Sequence, residues 1–130
     1  MIISNIEITK TNHLLVKCKI NGTLGWFIID TGASNSCVDL NKNEKFSLKY
    51  NILENNAQSA TDEIKKTYIS NNNGVKIGNW FTKNHDLILF NMDHINKNFE
   101  KEIDGILVSD TLLLGKAQIN YKKKKLVLEI

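Results

Sequence analysis

The run Gly25-Trp26-Phe27-Ile28-Ile29, cut off by Asp30-Thr31-Gly32-Ala33-Ser34, constrains this chain most. Five apolar residues in a row are short enough for a strand buried on both faces. Polar residues and a glycine directly after such a strand form a loop held at the edge of the core. A carboxylate, Asp30, is thereby placed at the mouth of a buried strand. The residues before it agree. Leu15-Val16-Lys17-Cys18-Lys19-Ile20 alternates with period two, the pattern of a half-buried strand. Asn21-Gly22 follows, a strong short-range hairpin signal.

The rest of the chain also reads as mainly β. Ile2, Ile6 and Ile8 mark a first strand. Asn41 to Lys45 reads as a loop, and Phe46 to Tyr50 alternates again. Asn71-Asn72-Asn73-Gly74 predicts a turn. Trp80-Phe81 and Leu87 to Phe90 suggest two strands, and Met92 to Glu102 a short helical turn. Ile103 to Val108 is a short apolar strand containing Gly105. Ser109-Asp110 is placed to cap a helix through Leu114, ending at Gly115. Ala117 to Tyr121 and Lys125 to Ile130 predict a closing hairpin. Glu54 to Glu63 reads as a loop or hairpin tip.

Composition narrows the function classes. The 130 residues are 42% hydrophobic and 24% charged, which suits one domain with a real core and excludes wholesale disorder. All 17 basic residues are Lys, a bias that codon usage in an AT-rich genome accounts for. Without Arg, and with a net charge of +3, nucleic acid is not an expected partner. No apolar run approaches the roughly 20 residues of a membrane helix. The first residues carry no secretory signal pattern. Cys18 and Cys37 are isolated thiols, as in a reduced cytoplasmic protein. His13, His85 and His94 lack metal-ligand spacing and read as surface or loop residues, so no metal or cofactor is expected. Lys122 to Lys125 reads as a solvated turn. Trp26, Phe27, Trp80 and Phe81 read as core or pocket wall.

A single carboxylate such as Asp30 is an ordinary surface group. Two of them facing each other across a two-fold axis form a catalyst. They cannot both ionise at close range, so they share a proton. One then activates water while the other polarises the carbonyl under attack.

Asp30-Thr31-Gly32-Ala33-Ser34 after an apolar strand resembles the signature of the retropepsin-like aspartic proteases. Ile20-Asn21-Gly22 through Ile29 resembles the hairpin leading into that loop. Ile103-Asp104-Gly105-Ile106-Leu107, then Asp110, resembles the family's second signature, a strand threading behind the loop into a short helix. Ala117 to Tyr121 and Leu126 to Leu128 resemble its closing strands.

The resemblance implies a single-lobe acid-protease barrel with one short helix in its C-terminal half. It implies one catalytic aspartate per chain, Asp30, so that two copies must meet as a C2 homodimer acting on a peptide or protein. Thr31 would hydrogen-bond across that interface, Gly32 would position substrate backbone, and the terminal strands, Leu126 to Ile130 included, would join it. Gly105, Ile106, Leu107 and Val108 would back the loop. Asp104 would order the turn before Gly105. The flap candidate is Ala57 to Glu63, with Ser59, Ala60, Thr61 and Asp62 at its tip. Two positions depart from the family pattern. Val108 stands where Gly is usual, adding bulk and restricting the backbone, and the flap candidate has no Gly. Both bear on catalysis rather than on fold. The alternative reading is a catalytically weakened or inactive peptide-binding or dimerisation module on the same fold.

Overall fold

The computed structural model describes residues 1–53 and 66–130. Strand β2 (Leu14–Ile20) turns Val16, Cys18 and Ile20 inward and Lys17 and Lys19 outward. It pairs with β3 (Thr23–Ile29) from Ile20↔Thr23 to Leu14↔Ile29. Asn21 (φ 51°) and Gly22 (φ 89°) make the two-residue turn, both in the left-handed region that a tight hairpin demands. The other edge of β3 is taken by β8 (Gly105–Leu107), which runs parallel to it. Over Phe27 to Ile29 both edges are paired and all three side chains are buried, which leaves no side for a polar residue and explains the apolar end of the strand. Phe27 and Ile29 join the main core, while Ile28 packs on the opposite side with Leu15 and Ile103.

Strand β4 (Cys37–Asp39) lies between β8 and β7 (Trp80–Phe90), and β7 forms a long hairpin with β6 (Tyr68–Ile77). Lys19↔Lys76 and Ile20↔Val75 then join β2 to β6. The ring β6-β7-β4-β8-β3-β2 closes a six-strand barrel. Its interior holds Val16, Ile20, Phe27, Val38, Val75, Leu87, Leu89 and Leu107, all fully buried. Each such side chain contributes roughly 1.5–3 kcal/mol. Strand β1 (Ile2–Ile8) continues the sheet beyond β2 to β10 (Lys125–Leu128) and β9 (Gln118–Asn120), and β5 (Asn51–Ile52) adds to β6. A 3₁₀ turn (Leu40–Lys42) and two short α-helices complete the regular elements of the described residues: α1 (Asp93–Asn96), at the expected helical turn, and α2 (Ser109–Leu114), which ends at Gly115.

Three expectations are corrected. Phe46 to Tyr50 is not a strand. Phe46 and Leu48 are buried, but turns do this: the Ser47 N–H bonds the Glu44 carbonyl, the Leu48 N–H bonds the Asn43 carbonyl, and Ser47 has φ 54°. Asn71 to Gly74 is no chain reversal but an irregular stretch inside β6, with register shifts on both sides of Asn73. The extra residue moves the inward face from Ser70 to Asn73. The reversal comes at Gly78-Asn79, and Trp80 to Phe90 is one strand rather than two. The closing hairpin stands as expected: β10 is paired with β9 on one edge and with β1 on the other, with Leu126 and Leu128 in the core. Within this stretch only the Glu129-Ile130 tail is exposed.

Candidate active site

Strand β3 delivers Asp30 to the surface. The Asp30 N–H still bonds the Leu107 carbonyl at 2.9 Å, one last rung onto β8. Beyond it the chain leaves the sheet, and Asp30 through Asn35 are all exposed. The Asp30 carboxylate accepts the Gly32 N–H at 2.9 Å, which sets its direction. The Thr31 hydroxyl has no partner among the described residues, whereas the Thr31 carbonyl accepts from Ser109 Oγ at 3.3 Å. The Ser109 N–H also reaches the Ala33 carbonyl at 3.3 Å. The first residue of α2 thus stitches the loop at two points. The N-cap of α2 is Val108, without a side-chain cap bond, so Ser109 does not cap the helix, whereas Asp110 lies in its first turn and its Oδ1 accepts the Thr111 N–H at 2.7 Å.

Asp110 also holds the far end of the loop. Its Oδ2 accepts the Ser36 N–H at 3.0 Å, and its Oδ1 accepts the Ser36 hydroxyl at 2.6 Å. Ser36 is fully buried, and its Oγ accepts the Val108 N–H at 3.0 Å. Burial alone would raise the Asp110 pKa. Hydrogen bonds from His85 and Ser36 and the His85 charge outweigh it and hold the carboxyl near 2. The same region acts oppositely on Cys37. Burial, then the charges of Asp110 and Asp30, push its thiol up to about 12, so it is no nucleophile.

Behind the loop, Gly105 and Val108 behave differently. A Cβ on Gly105 would lie 2.3 Å from the Cys37 carbonyl oxygen and 2.5 Å from the Phe27 ring, so only glycine fits. Val108 has φ −128° and ψ −162°, ordinary extended backbone, and its side chain is buried. The backbone here makes no demand for glycine. Ile106 and Leu107 lie between them, facing opposite sides of β8.

Asp104 does more than order a turn. It is buried and accepts the Trp26 N–H at 2.9 Å, Lys42 Nζ at 3.0 Å and Lys45 Nζ at 3.1 Å. It locks β3 to the segment preceding β8. His85 is not a surface histidine: its Nε2 lies 3.0 Å from Thr111 Oγ1 and 3.5 Å from Asp110 Oδ2. Phe81, expected in the core, is exposed, while Trp80 is buried. The flap candidate, Ser59, Ala60, Thr61 and Asp62 included, lies outside the described residues.

Asp30 borders a hollow of about 470 Å³ walled by Ile28, Ile95, Phe99 and Ile106, with His13 and His94 also lining it. His13 packs edge-on against Phe99. Among the described residues no cluster of His, Cys, Asp or Glu is arranged to hold a metal, and no helix is long and apolar enough to cross a membrane.

A closed barrel whose buried strand ends in an exposed Asp-Thr-Gly loop, backed by a second strand entering a helix, is the retropepsin-like architecture. Residues 16–115 match the model of the family described as aspartyl protease, and the chain belongs to that family. No curated protein matches it. Among solved structures it is similar to the retroviral protease-like domain of Ddi1 from Leishmania major, with a TM-score of 0.64 and 16% identity over 89% of this chain and 87% of that one. It is similar to a retropepsin-like aspartic protease from Rickettsia conorii, with a TM-score of 0.61 and 21% identity over 98% and 86% of the two chains. The EIAV protease in complex with the inhibitor HBY-793 gives 0.57 and 15% over 82% and 90%. At such identities the likeness is one of fold.

The sequence reading missed Ser36, Thr111 and His85. Ser36 lies just past the quoted signature and resembles any loop serine. Nothing in the local sequence of β7 separates His85 from a surface histidine.

Proposed function

We propose that this chain is a homodimeric aspartic endopeptidase, its residues forming one domain and its site completed by Asp30 from each of two copies. The observation that carries the reading is the Asp30 carboxylate, exposed at the end of a buried strand on a loop whose far end is fixed by Asp110. Two such carboxylates share one proton. One draws a proton from water, the water attacks the scissile carbonyl, and the other carboxyl polarises that carbonyl, with no covalent intermediate. No metal or organic cofactor takes part. The Thr31 hydroxyl, without a partner among the described residues, supports a bond across the dimer. The hollow beside Asp30 suits an apolar side chain next to the scissile bond, with the peptide extended along the groove. The free thiols Cys18 and Cys37 favour the cytoplasm.

The alternative, a non-catalytic module, loses one of its two supports because Val108 sits in relaxed backbone. The test is cleavage of a diverse peptide library between about pH 4 and 7, where a shared-proton pair acts, read by mass spectrometry. Cleavage by wild type that vanishes in Asp30→Asn supports the reading. Cleavage that survives the substitution, or none by a dimeric wild type, overturns it.

A further inference from the structure

The polar cluster behind the Asp30 loop contains a residue that the peptidase chemistry does not use. His85 enters from β7 with its side chain only 11% exposed. From its Nε2 a chain of contacts leads to Thr111 Oγ1 at 3.0 Å, on to Ser36 Oγ at 2.9 Å, and on to Asp110 Oδ1 at 2.6 Å. Each hydroxyl has one hydrogen to give. An ionised Asp110 has none, so the Ser36 hydrogen goes to Asp110. Ser36 then meets Thr111 only as an acceptor, and the Thr111 hydrogen goes to Ser36 at 2.9 Å or directly to Asp110 Oδ1 at 3.3 Å. Thr111 in turn meets His85 only as an acceptor, so His85 Nε2 must carry a hydrogen. An imidazolium always does, whereas a neutral ring does so in one tautomer of two.

We propose that His85 is a positioning residue for the Asp30 loop: its protonated imidazole aligns the Thr111 and Ser36 hydroxyls toward Asp110, so that the loop is held most firmly at acid pH. The geometry is independent of catalysis; the consequence for turnover rests on the peptidase reading. Deprotonation removes a positive charge 3.5 Å from Asp110 Oδ2 and frees Thr111 to turn its hydrogen to the ring, taking one donor from the Ser36–Asp110 pair. The surroundings leave Asp110 as the charged partner. Cys37, on β4, is a thiol kept neutral by burial. Asp86, next to His85, directs its carboxylate to the Asn72 N–H at 3.3 Å. From β6, Asn73 is neutral and donates to the His85 carbonyl at 3.3 Å. Asp110, held near 2, stays ionised throughout the range in which a histidine titrates.

The test follows the His85 ring and the Ser36 amide by NMR against pH, with kcat and KM for a cleaved peptide over the same range. In wild type the Ser36 amide is expected to shift with the midpoint of the His85 ring, and kcat to fall about three- to tenfold across it with KM unchanged. In His85→Gln the side-chain amide donates to Thr111 at every pH, so the Ser36 titration and the alkaline fall both disappear. A Ser36 amide indifferent to His85 ionisation overturns the proposal, and so does a His85→Gln variant with the wild-type pH profile. Should His85→Gln not fold, the wild-type titration alone decides. If wild type cleaves nothing while Ser36 still follows His85, the peptidase reading fails and the positioning role stands.

Discussion

Asp110 grips Ser36 twice, by its backbone N–H at 3.0 Å and its hydroxyl at 2.6 Å, across 74 residues of sequence. This pair, rather than any contact of Asp30 itself, fixes the far end of the exposed loop to α2.

Ser36→Ala removes the hydroxyl that accepts the buried Val108 N–H at 3.0 Å and donates to Asp110, whose Oδ1 keeps the Thr111 N–H at 2.7 Å. The expected cost is about 1–3 kcal/mol, measured by urea denaturation, with peptide turnover falling more than substrate binding.

Asp110 also sets an acid limit. Its folded pKa of about 2 lies below the ordinary 3.8. A depressed carboxyl contributes stability that is complete above the unfolded pKa and is lost as pH falls through the folded one. Wild type should therefore lose stability between about pH 4 and 2, and Asp110→Asn should lose less over that interval while starting lower. Thermal melts at stepped pH check both.

Gly105 and Val108 should respond in opposite ways to the intuition drawn from family pattern. Gly105→Ala forces a Cβ onto the Cys37 carbonyl and the Phe27 ring, so the variant should be insoluble or destabilised by more than about 3 kcal/mol. Val108→Gly restores the usual residue but empties a buried site and loosens the backbone. It should lose about 2–3 kcal/mol and gain no activity.

Asp104 is the buried anion that joins Lys42, Lys45 and the Trp26 N–H. Burial opposes the charge on Lys42, but bonds to Glu102 and Asp104 outweigh it and raise its pKa. Asp104→Ala should cost roughly 3–5 kcal/mol, seen as a lower urea midpoint. Glu102→Ala should cost well under half of that, since Glu102 is exposed.

Local chemistry was legible in the sequence, and distant partnerships were not. The Asn21-Gly22 turn and the buried run Gly25 to Ile29 each follow from steric or periodic rules within a few residues, whereas the need for glycine at 105 comes from Cys37 and Phe27, distant in sequence. Phe46 to Tyr50 misleads because alternate burial also arises from a turn. Asn71 to Gly74 misleads because four turn-forming residues can be absorbed as an irregularity in a paired strand. Asp104 and Asp110 were noticed, but their work depends on Lys42, Lys45, Ser36 and His85, which only the barrel brings near. Val108 shows the limit of pattern: a departure in letters carries no strain when the backbone there is ordinary.

The central claim is that one site is shared by two chains. The direct measurement is peptide cleavage by a fixed amount of wild type, equilibrated with increasing Asp30→Asn protein. If each site takes one Asp30 from each copy, the variant captures wild-type chains in dead dimers, and activity should fall toward zero as variant is added. Activity that stays constant at every ratio, with subunit exchange verified, would contradict the account.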